Sequence, residues 1–307
     1  MKKFLIKCLF FIIPIIFVFI LIEFRLRQVP NPYKYKYEWM QKNAEDVEIL
    51  VFGSSHTYFG IRPEFFDGKA FSLANVSQDT KLDLFLLKYW AKKYKHLKVV
   101  IVPISYFTWF SHGLEYGKES FRCRYYSMYM DCDLYPCWPQ YHLELSDIET
   151  AKKKADKIGH EEYNNGDYDN YGWGTIYKLS SKNMTVWESG TDAEAAVKRH
   201  TATSWDHVAD NLNRMREMAL FCKNNHIQLV LITTPCWHTY YNRLDPKQLK
   251  KMHELNNLIC RDYDFSYFDY LKDQRFVAND FYDGDHLSDI GAEKFTKILS
   301  EDIKSLP

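Results

Sequence analysis

Glu48-Ile49-Leu50-Val51-Phe52-Gly53-Ser54-Ser55-His56 is the stretch on which the fold turns. Glu48–Phe52 (EILVF) is a short apolar run cut off by a glycine, which reads as a buried strand. The small-residue turn that follows puts a hydroxyl at the C-terminal edge of a parallel sheet, where open α/β folds place their sites. Two further runs share this character: Lys98–Val102 (KVVIV) and Ile227–Ile232 (IQLVLI), ending at a Pro and at a Thr-Pro break. Between them the spacing is helical. Leu82, Phe85, Leu86 and Tyr89 share one face, as do Val208, Leu212, Met215, Ala219 and Cys222. Further on, Leu249, Met252, Leu255 and Ile259 predict a helix over Pro246–Cys260, followed by a strand near Phe265–Phe268 and a last helix after Ser288. Alternating helices and continuous apolar strands imply a three-layer α/β/α sandwich around a parallel sheet.

The composition narrows the function classes. The chain has 307 residues with 40 Lys+Arg against 40 Asp+Glu, and this zero balance argues against a nucleic-acid partner. With 46% hydrophobic and 26% charged residues, wholesale disorder is excluded as well. The seven cysteines form no paired C-x-x-C pattern, so a zinc ribbon is not expected, and buried thiols explain them as well as disulfides do.

Phe4–Ile22 (FLIKCLFFIIPIIFVFILI) carries Lys7 as its only charge. At about 1.5 Å per residue it reaches roughly 28 Å, enough to cross a bilayer core. Lys2, Lys3 and Lys7 bias the N-terminus to the cytoplasm, and no small-residue cleavage site follows. The expected organisation is a signal-anchor over 1–27, a juxtamembrane linker over 28–46 and an extracytoplasmic α/β domain over 47–307.

About residues 106–200 break the strand–helix rhythm. This block is rich in Tyr and Trp, holds Cys123, Cys132 and Cys137, and includes the polar run EEYNNGDYDNYGWG at 161–174. We read it as an insertion at the strand ends. Its aromatics form either a mini-core or, at Trp109, Trp138 or Trp173, a platform for sugar rings.

Two motifs carry chemistry. One is Gly53-Ser54-Ser55-His56; the other is Asp283-Gly284-Asp285-His286-Leu287-Ser288, between the last strand and the last helix. Both loops should open on the same sheet edge. Serine, histidine and aspartate brought together there can perform acyl transfer, the imidazole taking the serine proton and the carboxylate orienting the imidazole.

The pair of motifs, Gly53-Ser54-Ser55 and Asp283-x-x-His286, resembles the SGNH/GDSL hydrolase superfamily. The resemblance implies Ser55 as nucleophile, His286 as base and Asp283 as its orienting partner. ILVFGSSHTYFGIRPEFF, SLANVSQDT and FYDGDHLSDIGAEKF are similar to the membrane-anchored branch. That branch contains the D-alanyl transfer protein of teichoic acid modification and the alginate O-acetylation proteins. It implies an acylated envelope glycan as substrate and a multi-pass membrane O-acyltransferase as partner. The branch's second block aligns the oxyanion-hole amide with Asn75. The third block normally supplies a side-chain Asn, where Pro103-Ile104-Ser105-Tyr106 stands here. A missing oxyanion donor is worth about 2.7–4 kcal/mol, so a catalytically weak scaffold is the rival expectation.

Other residues have plainer expectations. Asp285, beside His286, offers an alternative to Asp283 as orienting acid, which the reading that it solvates its loop outweighs, and His56 is read as touching substrate or filling the turn. Cys236 with His238 offers a thiol alternative that a packed cysteine outweighs. No cofactor is expected, and no metal, because Asp283, Asp285 and His286 give too few carboxylates.

Overall fold

The computed structural model describes residues 2–158 and 167–306, so the polar run 161–174 lies partly outside the described residues. Five parallel strands form one sheet in the order β2-β1-β3-β4-β5. They are β1 Ile49–Val51, β2 Ala70–Ser72, β3 Val99–Pro103, β4 Gln228–Thr233 and β5 Ser266–Asp269. Three coincide with the apolar runs of the sequence. β2 does not, because three residues including Ala and Ser leave no β-branched signature.

The sheet separates two cores. Leu50, Phe52, Val100, Val102, Leu229 and Leu231 point to one face, against helices Thr80–Tyr89, Val208–Asn224 and Pro246–Tyr263. Val51, Ile101, Val230 and Ile232 point to the other, against Phe295 and Leu299 of helix Asp289–Lys304. Alternation along each strand therefore fills both faces, and the fold is a three-layer α/β/α sandwich. In helix Thr80–Tyr89 the buried face is Thr80, Leu82, Asp83, Leu86 and Leu87; Phe85 and Tyr89 lie at its margin rather than at its centre.

Caps set the helix starts at the sheet's C-terminal edge. Asp79 Oδ1 accepts from the Leu82 amide at 3.0 Å, and Ser288 Oγ accepts from Gly291 at 3.2 Å. A Cβ at Gly291 would stand 1.8 Å from the Asp280 carbonyl, so only glycine lets this helix begin so close to the loop before it.

Residues 28–46 contain helix Pro32–Asn43, capped by Asn31, with Tyr33, Lys36 and Met40 buried. The chain before it is helix Lys2–Leu26, whose segment Leu9–Leu26 is long and apolar enough to span a membrane and is almost wholly uncovered by protein. The insertion is a chain of short helices, among them Cys123–Tyr129, Pro139–His142, Ile148–Ala155 and Thr191–His200. Cys123, Cys132, Cys137, Cys222, Cys236 and Cys260 are free thiols.

Candidate active site

β1 and β3 are neighbours, yet the chain leaves β1 for β2 on the far side before returning to β3. Such a reversal opens a crevice at the strand C-termini. Gly53 turns the chain there at φ +107°, and a Cβ would sit 2.0 Å from Pro103 Cγ. Its amide donates to Asp83 Oδ1 at 3.0 Å, and Thr57 Oγ1 donates to the Phe52 carbonyl at 2.7 Å. The turn is thus held from both sides. Ser55 begins the short helix Ser55–Gly60 and remains half-buried, whereas Ser54 is buried.

The loop Asp283–Ser288 meets this turn. Nε2 of His286 lies 2.8 Å from Ser55 Oγ, and Nδ1 lies 2.9 Å from Asp283 Oδ1. Asp283 Oδ1 also accepts the backbone amides of Asp285 and His286, at 3.1 and 2.8 Å, which fixes the carboxylate before the imidazole reaches it. Gly284 lets Ala193 of the insertion pack against the loop, since a Cβ would fall 2.6 Å from that of Ala193.

Asp285 departs from its expected role. It is buried rather than solvating the loop, because His56, His200 and Cys236 close over it. His56 Nε2 donates to Asp285 Oδ2 at 3.1 Å, and the Ser105 hydroxyl donates to His56 Nδ1 at 2.8 Å. Asp285 Oδ1 lies 3.6 Å from His286 Nδ1, so two carboxylates flank one imidazole. Ser105, in the loop after β3, thereby ties that loop to the turn that carries Ser55 and His56.

The charges separate cleanly. Burial pulls the His286 pKa down, but Asp283 and Asp285 outweigh it and raise it to about 9. Burial lowers His56, and lowers His200 to about 3, so both stay neutral at neutral pH. Burial alone would raise Asp285; the imidazoles of His286, His56 and His200 instead hold its carboxyl well below the usual range. At pH 7 the cluster is therefore one imidazolium between two carboxylates.

Asn75 does not supply the expected oxyanion amide. Its N–H is committed to the Gly53 carbonyl at 3.1 Å, and the left-handed residue of its loop is Ser77 (φ +60°). Among the described residues' hydrogen bonds, the amides of Ser55, Val76 and Ser77 have no acceptor, and all three residues line the crevice. The loop is propped from below by Lys36, whose Nζ donates to the Ala74 carbonyl and lies 4.4 Å from the Tyr58 ring centroid. Burial holds the Lys36 pKa well below its usual value.

The crevice has a volume of 640 Å³ and a mixed lining, with Gln78, Thr80, Thr108, Ser111, Arg122, Tyr177 and Arg199 beside the apolar Val76, Pro103, Phe107 and Leu114 around Ser55 and His286. Tyr177 stacks between Phe59 and Tyr282, at 3.9 and 4.2 Å between centroids, and forms one wall. The other aromatics divide. Trp109 is fully buried and donates to Asn256 Oδ1 at 2.8 Å; Trp173 is buried and donates to the Phe59 carbonyl at 2.7 Å. Both are core residues, Trp109 of the core on one face of the sheet and Trp173 of the core on the other, rather than members of a separate mini-core. Trp138 is 59% exposed, beside the N-terminal helix rather than the crevice.

Cys236 is buried, and burial together with Asp285 pushes its thiol well above its usual pKa, the surroundings of a packed cysteine rather than of a thiolate. His56, Asp285 and His286 each offer one atom within 4.8 Å of the others. Both ring nitrogens of each histidine are already hydrogen-bonded, so a cation there would have to displace Ser55, Ser105 or a carboxylate.

No protein-family model and no curated protein matches this chain. Among solved structures, a provisionally named acylhydrolase from Bacteroides fragilis NCTC 9343 is similar over 87% of this chain and 94% of its own, with 12% identity and a TM-score of 0.43.

Proposed function

We propose that this protein is a membrane-anchored serine esterase or acyltransferase of the SGNH type. It acts outside the cytoplasm on acetyl or similar acyl groups of a cell-envelope polysaccharide. The observation that carries the reading is the line Ser55 Oγ–His286–Asp283, with steps of 2.8 and 2.9 Å, at the C-terminal edge of a parallel sheet. Ser55 Oγ attacks the acyl carbonyl carbon as neutral His286 takes its proton at Nε2. Asp283 holds the Nδ1 proton and stabilises the imidazolium. The tetrahedral oxyanion falls to the Ser55, Val76 and Ser77 amides. Collapse expels the sugar oxygen, protonated by His286, and leaves acyl-Ser55. Water or a second sugar hydroxyl, deprotonated by His286, then removes the acyl group.

The hydrogen-bonding side chains Gln78, Thr80, Thr108, Ser111, Arg122 and Arg199 along the crevice support a hydroxyl-rich substrate such as a glycan. The single apolar N-terminal helix, with Lys2, Lys3 and Lys7 at its start, supports a cytoplasmic N-terminus and a domain beyond the membrane. A multi-pass O-acyltransferase is the partner that such an anchor would bring within reach.

A second reading has its own observation. The Asn75 amide is taken by Gly53, and Ser105 stands where the resemblance calls for Asn. A scaffold that binds glycan or an acyltransferase with little turnover would look the same. Labelling by a serine-directed fluorophosphonate separates the two. Wild type should label at one site and Ser55→Ala not at all; an unlabelled wild type, or a labelled Ser55→Ala, removes the enzyme reading.

A further inference from the structure

The N-terminal helix does not end free of the domain. Arg27 donates to Glu23 Oε1 at 2.7 Å and to the His142 carbonyl at 2.6 Å. Glu23 in turn accepts the backbone amides of Glu144 and Leu145, at 3.0 and 3.1 Å. Three hydrogen bonds thus fasten the insertion segment 142–145 to the end of the helix, and the Arg27–Glu23 pair holds their side chains together. Above this clamp lies a groove of 600 Å³. Ile16, Phe19, Ile20 and Phe24 line it on the helix side; Pro139, Leu143 and Leu145 line it on the insertion side.

The helix residues recur at steps of three, one and four, which is a single face. Ile16 stands six residues before the end of the apolar run at Ile22, about 9 Å along the axis. The groove therefore enters the span that the helix would place in hydrocarbon. Trp138, Leu143 and Ile148 on the insertion are exposed beside it, at 59%, 39% and 67%. Exposed Lys152 and Lys153 follow directly. A tryptophan with apolar neighbours and adjacent lysines at a helix exit is the composition of a membrane–water interface.

We propose that the segment Trp138–Ile148 rests in the headgroup boundary of the leaflet that the N-terminal helix exits, with lipid acyl chains filling the groove. The inference rests on the membrane-anchor reading but goes beyond it. The catalytic crevice is then carried at a fixed height above the bilayer rather than on a tether. The argument for lipid as occupant is continuity: the groove has the membrane helix itself as one wall, and its lining is apolar except at Glu23, Arg27 and Ser146.

Cys137 supplies the probe, being exposed and next to Trp138. The full chain, with Cys8 and Cys260 replaced by serine, would be spin-labelled at Cys137 and reconstituted in phosphatidylcholine vesicles. Collision rates with oxygen and with a water-soluble nickel complex give the depth of the label. Labels at Phe17→Cys in the helix and Lys250→Cys on the far side of the domain provide the two limits. The Cys137 label should show a severalfold lower nickel rate than the Lys250 label, and Glu23→Ala with Arg27→Ala should return it toward the aqueous limit. An aqueous Cys137 label with a deep Phe17 label overturns the inference while leaving the anchor intact. Aqueous labels at both positions overturn the anchor. Dipolar broadening between Cys137 labels would assign the groove to a second copy and likewise overturn it.

Discussion

Replacing Asp285 by asparagine separates charge from shape at the histidine. The asparagine oxygen can still accept from His56 Nε2, where Asp285 Oδ2 stands at 3.1 Å. What is lost is a negative charge 3.6 Å from Nδ1 of His286. At an effective dielectric of about 20, two unit charges at that separation interact by about 5 kcal/mol. At about 1.4 kcal/mol per unit, this bounds the change at about three pKa units. Asp283 remains in place, so we expect a fall of about one to three units from the wild-type value of about 9. The sign follows from the base: only neutral His286 accepts the Ser55 proton. In wild type that form is about one part in a hundred at pH 7 and becomes the majority above pH 9. The rate of fluorophosphonate labelling should therefore rise through pH 9 in wild type and reach its plateau at lower pH in Asp285→Asn. At pH 7 the variant should label on the order of tenfold faster. Above pH 10 it should label more slowly, having lost part of the stabilisation of the imidazolium. A midpoint that does not move, or one that moves upward, would refute the two-carboxylate account of His286.

Asp283→Asn should behave differently, with turnover of an acyl ester falling on the order of 10⁴-fold at every pH, because the tautomer of His286 is lost; a loss confined to low pH would contradict this role. Gly53→Ala forces a Cβ against Pro103 at a positive φ and should destabilise the domain by about 3 kcal/mol or more in urea titration. Trp109→Ala and Trp173→Ala should each cost about 3–5 kcal/mol by the same titration. Trp138→Ala should stay within about 0.5 kcal/mol, and equal losses at all three positions would undo the division between core and surface. The chain should remain with membranes after a high-salt wash; recovery of a soluble form beginning near residue 30 would count against an uncleaved anchor.

The sheet was legible where burial on both faces coincides with a continuous β-branched apolar run. β1, β3 and β4 are continuous apolar runs, because helices cover them above and below. β2 was not legible. It is an edge strand of three residues, placed by its pairing of Leu50 with Phe71 rather than by its own composition. The insertion's rings show a similar limit. Sequence marks Trp109, Trp138 and Trp173 as equals, but two have a buried N–H acceptor, Asn256 or Phe59, from more than a hundred residues away.

The candidate site divides along the same line. Ser55 and the pair Asp283–His286 are each positioned by bonds within a few residues: a glycine turn after a strand, and a carboxylate accepting the next amides of its own loop. Local rules reach such groups, and strand order then brings them together. Asp285 is two residues from Asp283, and no local rule distinguishes them. Its inward turn depends on His56, 229 residues away, and on His200 from the insertion. Neither partner advertises itself, since a lone histidine in a turn or on a helix is equally a filler. The sequence signal that was available is the conjunction of His56 beside one motif and a second acid inside the other. Asp283 is the leading cause that raises the proton affinity of His286, and Asp285, held in place by His56 and His200 from two other segments, adds to it. Ser55, Asp283 and His286 are each placed by local bonds, whereas the proton affinity of His286 is a property of the assembled fold.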